Sequence, residues 1–194
     1  MAANALRLST PSLCLECGLC CNGVIFADVR LESGDDAGLL RSLGLPVISA
    51  NASLRPGVGE PNRKSKISRP RFQQPCAALD GCRCRIYADR PKYCREFECL
   101  LLKKVQAGLV ETAAARRVIR ATLRRAEEVK RLLRKLGDAD EQSALSLRFR
   151  RMKQRMESGI PDAENAEMFS RLTLAVHGLN LRLGEAFYPG PGKG

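Results

Sequence analysis

The chain has 194 residues, 44% of them hydrophobic and 5% aromatic, with nine cysteines, one histidine and a net charge of +12. That length is enough for one domain with a proper core or for two small units, so the chain does not need covalent staples merely to fold. Its apolar runs, such as CLLL at 99–102, fall far short of the roughly 20 residues of a membrane span, and no membrane partner is expected.

Residues 1–13 contain one arginine and no apolar stretch long enough for a signal sequence, which predicts a cytosolic protein. Grouped cysteines in a reducing cytosol are more often metal ligands or redox centres than disulfides, and an odd total of nine fits a closed disulfide framework poorly.

The first feature along the chain is CLECGLCC at 14–21, four cysteines in eight positions. GVIFADVRL at 23–31 reads as a short strand and SGDDAGLLRSLGL at 33–45 as a short helix starting at Ser33 or Asp35. Residues 46–75, with five prolines and the basic RKSK, show no period and read as a long excursion. CAALDGCRCRIY suggests a hairpin turning at Asp80-Gly81.

From about residue 100 the composition shifts to Leu, Ala, Arg, Lys and Glu, which are strong helix formers. YCREFECLLLKKVQA predicts one helix beginning after Pro91 and stopping at Gly108. A second runs from about Thr112 to Leu136, with Ile119, Thr122, Ala126, Val129, Leu133 and Leu136 on one buried stripe and Gly137 as its end. Asp138 and Glu141 have the spacing of a capping box for a third helix reaching about Ser158. Asp162 caps a last helix over 163–183, with Ala166, Phe169, Leu172, Val176, Leu179 and Leu183 on one side. The expected fold is α+β: a small, irregular, cysteine-rich metal-binding region with short strands or a hairpin over 1–100, then a mainly α-helical bundle over 101–188 packed on it. Residues 189–194 form a flexible tail.

Packing is a poor account of the thiols at 14–21, because they are interleaved with Glu16, Gly18 and Asn22 and follow neither a helix nor a strand period. A redox dithiol is sterically possible, but that motif sits between a strand and a helix of an alternating fold, which this sequence does not predict. Metal binding explains more. A two-residue gap lets the backbone turn so that two sulfurs converge on one ion, and its repetition at Cys14, Cys17 and Cys20 makes a three-sulfur claw. Further ligands would come from Cys76, Cys84, Cys94 and Cys99, while Cys21 points differently from Cys20 and would serve a second ion or the other side of a cluster. The one histidine, His177, reads as an ordinary helix residue. The site is therefore all-thiolate, with water or Glu96 as a candidate for completing it, and soft thiolates select zinc or iron, including iron-sulfur clusters. Among the basic residues between the later cysteines, Arg83, Arg85 and Lys92 read as surface charges and Arg90 and Arg95 as orienting groups.

CLECGLCC, the lone Cys76 in QPCAALDG, and CRIYADRPKYCREFEC at 84–99 together resemble the bacterial YkgJ-like cysteine-cluster family of zinc- or iron-chelating proteins. The resemblance implies metal ligands at Cys14, Cys17, Cys20, Cys21, Cys76, Cys84, Cys94 and Cys99, on a scaffold of Tyr87, Arg90, Pro91, Arg95 and Phe97. Cys82 departs from the pattern, as a bystander or a replacement for one of the eight.

Three functions compete. The first is a cytosolic metal-binding protein with two metal sites or one multinuclear cluster. The second is an iron-sulfur redox enzyme or a metal-dependent catalyst, against which stands the lack of a nucleotide-binding glycine loop, of paired catalytic carboxylates in a recognisable motif and of a histidine-based constellation; no catalytic residue is assigned. The third is RNA binding, or docking of a protein partner, through Arg116, Arg117, Arg120, Arg124, Arg125, Lys130, Arg131, Arg134 and Lys135, since residues 101–160 carry 16 basic and 7 acidic side chains. A charged outer face is also the rule for bundle helices. Phe26, Tyr93, Phe149 and Phe187 are too scattered in sequence to suggest a base-stacking platform.

Overall fold

The computed structural model describes residues 10–49, 69–159 and 162–188. Most of the predicted excursion and the predicted tail lie outside the described residues. In chain order the elements are α1 (Thr10–Cys17), β1 (Asp28–Arg30), α2 (Ala37–Ser42), β2 (Arg71–Gln73), β3 (Leu79–Asp80), β4 (Arg83–Cys84), α3 (Lys92–Glu96), α4 (Leu100–Gln106), α5 (Thr112–Lys135), α6 (Leu145–Ser158) and α7 (Ala163–Ala186). Short antiparallel strand pairs followed by helices make the α+β arrangement that the composition shift predicts.

The first half departs from the sequence reading in four places. The helix expected over 33–45 from Ser33 or Asp35 contracts to α2, capped by Asp36, whose carboxylate accepts from the Gly38 and Leu39 N–H groups. The strand expected over 23–31 shrinks to β1, because residues 21–25 turn instead: the Asn22 side chain accepts from the Val24 N–H at 3.1 Å and the Ile25 N–H reaches the Leu19 carbonyl at 3.2 Å. Val24 and Ile25 are thereby delivered to the helical core. β1 pairs with β2, which the sequence reading left inside the excursion, and this sets Val29 opposite Phe72, both buried. In the hairpin of β3 and β4, Asp80 pairs with Arg83, so the turn is Gly81-Cys82 and not Asp80-Gly81; Gly81, at φ +59°, supplies the positive angle such a turn needs.

The helix expected from Pro91 to Gly108 is broken in two. Phe97 and Cys99 are extended, and the Cys99 sulfur accepts from the Leu102 N–H at 3.4 Å, capping α4. α3 has its own distant support, since the Asp35 carboxylate accepts from the Lys92 N–H at 2.7 Å.

The second half follows its pattern closely. All six residues of the predicted α5 stripe are buried, and α5 lies along α7. Asp162 caps α7 as expected, accepting from the Asn165 N–H at 2.8 Å, and Leu172, Leu179 and Leu183 are buried. Ala166, at the start of the predicted stripe, is exposed. Asp138 and Glu141 do not form a capping box: α6 begins later, at Leu145, and the two carboxylates pair instead with Arg148 at 2.6 Å and Arg134 at 2.9 Å.

Two apolar clusters result. The larger joins α4–α7 with Leu13, Leu19, Val24 and Ile25 from the start of the chain. The smaller gathers Val29, Leu31, Leu40, Leu45, Val47, Phe72, Ala78 and Ile86 from the strands and α2. Burying such side chains stabilises each cluster by about 1.5–3 kcal/mol per large residue before entropy is counted.

Candidate metal centre

Cys14 and Cys17 lie one turn apart on α1, and the chain then folds back on itself, with the N–H groups of Cys21 and Asn22 both reaching the Gly18 carbonyl at 2.9 Å. Cys20 and Cys21 occupy that turn. The second cysteine segment is tied to it through the main chain, the Cys76 N–H donating to the Cys21 carbonyl at 2.7 Å. The hairpin presents Cys84 from β4 and packs Cys82 against Gly18; a β-carbon added to that glycine would lie 3.4 Å from the Cys82 Cα. α3 carries Cys94, and Cys99 sits at the start of α4, which packs on α1.

All nine cysteines line one cavity of about 300 Å³. All are free thiols. One wall is aromatic: Phe26 meets Tyr93 and Phe97 edge-on at 5.5 and 4.8 Å between centroids, while Tyr93 and Phe97 stack at 5.9 Å. Phe26 and Tyr93, distant in sequence, are thus neighbours, and sequence pattern held no signal of it. Arg90 also lines the cavity, its guanidinium 3.7 Å from the Tyr87 ring centre and donating to the carbonyls of Tyr87 at 3.0 Å and Cys94 at 3.4 Å. Arg95 donates to the Arg90 carbonyl, so both arginines orient the 87–95 turn.

Burial dominates the electrostatics of seven of these thiols. It pushes Cys17, Cys21 and Cys94 up to about 12, with neighbouring thiols adding to the effect. Cys20 is raised well above the ordinary thiol value by burial and by Cys17 and Cys21. Cys14, Cys76 and Cys99 are raised by burial as well. An activated nucleophile or redox thiol has the opposite shift, toward the thiolate. Thiols of this kind keep their protons, and ligation exchanges those protons for the charge of a cation.

The donor chemistry fits zinc or iron, being soft and sulfur-rich, with every thiol but that of the exposed Cys14 partly buried. Among the described residues no three cysteine, histidine, aspartate or glutamate side chains stand gathered as a finished ligand set, so the thiols ring the cavity and must close in to ligate. Glu96 does not line the cavity, whereas Glu98 does, as does Gln74, whose buried side-chain oxygen finds no hydrogen-bond partner among the described residues. Both lie inside the stretches that carry the resemblance, at positions its cysteine pattern does not single out. His177 is exposed on α7, away from the cavity.

The basic helices present a mixed surface. Arg116 pairs with Glu16 at 2.8 Å, Lys130 with Glu127 at 2.7 Å, Arg131 with Glu128 at 2.6 Å and Arg134 with Glu141 at 2.9 Å, so four of the nine cations singled out in the sequence have carboxylate partners. No described helix is long and apolar enough to cross a membrane.

No curated protein and no solved structure matches the chain. A family model does, over residues 13–117, and that span of more than half the chain contains every cysteine that lines the cavity. The chain therefore belongs to the CxxCxxCC family, described as a putative zinc- or iron-chelating domain.

Proposed function

We propose that this protein holds zinc or iron through thiolates of Cys14, Cys17, Cys20, Cys21, Cys76, Cys84, Cys94 and Cys99. The observation that carries this reading is that two cysteine segments far apart in sequence line the same cavity, with no disulfide among them. Seven of the eight thiols have a pKa raised by desolvation, which makes them a poor redox or nucleophilic pair but a good cation trap, since a cation relieves the repulsion among thiolates as they ionise. Arg90, Tyr87, Pro91, Arg95 and Phe97 act as the frame, closing the 84–99 segment against α1. Free thiols in this number suit a reducing compartment, and the cytosol is the assignment that follows.

The test is purification of the full chain under anaerobic conditions, with metal content and the visible spectrum recorded on the same sample. Zinc or iron at one or more equivalents per chain is expected. Zinc bound by four thiolates is colourless, whereas iron-sulfur clusters absorb in the visible, so the spectrum separates the two. A metal-free protein that takes up neither zinc nor iron on reconstitution sinks the reading.

A further inference from the structure

We propose that the cavity contains two separate four-thiolate cation sites, one built from Cys14, Cys17, Cys20 and Cys99, the other from Cys21, Cys76, Cys84 and Cys94, with Cys82 outside both. The inference rests on the metal-binding reading above and says how its thiols are divided.

The division follows the two apolar clusters. Cys17, Cys20 and Cys99 pack against the helical cluster, whereas Cys76, Cys84 and Cys94 pack against the strand cluster. Cys14 shares α1 with Cys17 three residues on, which places both on one helix face, and α1 packs on α4, whose first turn Cys99 caps. Cys21 belongs with the other group because its carbonyl holds the Cys76 N–H at 2.7 Å. The adjacent pair Cys20-Cys21 is thus the seam, Cys20 packing on the helical cluster and Cys21 bonded through its carbonyl to Cys76. Like Cys14 and Cys21, Cys82 packs on neither cluster; it lies at the hairpin tip against Gly18 and is the thiol left over once four are assigned to each site.

Four thiolates around one divalent cation leave two negative charges on each site, and the two sites would repel. Arg90 lines the same cavity and donates to the Cys94 carbonyl at 3.4 Å, so its charge stands where it offsets that excess.

The test is anaerobic titration of the metal-free full chain with cobalt(II), reading bound cobalt per chain and the charge-transfer and ligand-field bands of cobalt thiolates. Two equivalents are expected for the wild type. Cys17→Ser with Cys99→Ser should remove one equivalent and Cys84→Ser with Cys94→Ser the other, each leaving the four-thiolate spectrum of the surviving site; Cys82→Ser should keep both. A single equivalent in the wild type, or loss of all cobalt in either paired variant with native helix content by circular dichroism, overturns the division in favour of one shared centre and leaves the metal reading standing. No cobalt binding by the wild type overturns both. If a paired variant loses its helices, Cys17→Ser and Cys84→Ser alone decide: each should weaken one equivalent by about tenfold or more, and equal weakening of both equivalents refutes the proposal.

Discussion

The Cys21 carbonyl accepts a hydrogen bond from the Cys76 N–H at 2.7 Å. This bond joins the turn that ends the first cysteine cluster to the start of the second cysteine segment, through the main chain and without using either sulfur. The thiols are thereby left free for a ligand while the backbone sets which segments face each other. Nearby, Gly23 completes the junction: its carbonyl accepts from the Leu145 N–H at 2.9 Å, at the start of α6.

Gly23→Ala should therefore damage the metal centre without touching a cysteine. Gly23 has φ +79°, and an added β-carbon would lie 3.0 Å from the Ala144 Cα and 3.3 Å from the Pro75 ring. Strain of this kind costs about 1–3 kcal/mol. Urea unfolding should show that loss, and metal affinity should fall with it; an unchanged midpoint contradicts the close approach.

Arg90→Met should weaken metal binding while leaving the helices intact. The substitution keeps much of the apolar stem but removes the guanidinium held over Tyr87 and bonded to the carbonyls of Tyr87 and Cys94. Loss of a residue that supports a metal site commonly costs about 10–100-fold in affinity. Competition against a chromophoric chelator measures this, and Arg90→Lys, which restores the charge but not the planar stacking, should recover only part of it.

Asp138→Ala should be among the most destabilising changes in the helical half. The Arg148 side chain is 2% exposed and that of Asp138 12%, with 2.6 Å between them. Removing one member of a buried ion pair strands the other charge and costs about 3–5 kcal/mol. Replacing both, as Asp138→Leu with Arg148→Met, should recover much of that loss in thermal unfolding, because the stranded arginine is then gone.

Acid should weaken the helical half as pH falls from the ordinary carboxyl range through the lowered values of two glutamates. Hydrogen bonds from Arg131 and Arg134 hold Glu128 and Glu141 below the usual value of 4.5, where the unfolded chain would titrate. The stability they supply is fully present above that value and is lost as pH falls through the lowered folded values, because the unfolded state binds protons first. Both groups are exposed, so the effect is small and fades in high salt. Glu128→Gln with Glu141→Gln should flatten the slope of stability against pH below 4.5; an unchanged slope shows that the pairs contribute nothing.

The helical half was legible because its signals are local. An apolar stripe at spacings of three and four, Gly108 and Gly137 as stops and Asp162 as a cap each act within a turn or two of chain, and α5 and α7 follow them. Where Asp138 was misread, a tertiary partner won: Arg148, buried, takes the carboxylate that would otherwise cap a helix. The same competition broke the helix expected after Pro91, since Phe97 leaves it to join Phe26 and Tyr93.

By itself the sequence determined the chemistry of the site: nine thiols, hardly any histidine, and spacings of two residues that suit a soft cation. It also placed those thiols in two segments, 14–21 and 76–99. Which thiol faces which was decided only by the tertiary structure. Strand pairing of β1 with β2, the backbone bond between Cys21 and Cys76, and the packing of α1 on α4 act between residues distant in sequence, and no local period encodes them. The adjacent Cys20 and Cys21 are distinguished in the fold for that reason, Cys20 packing on the helical cluster and Cys21 holding the Cys76 N–H.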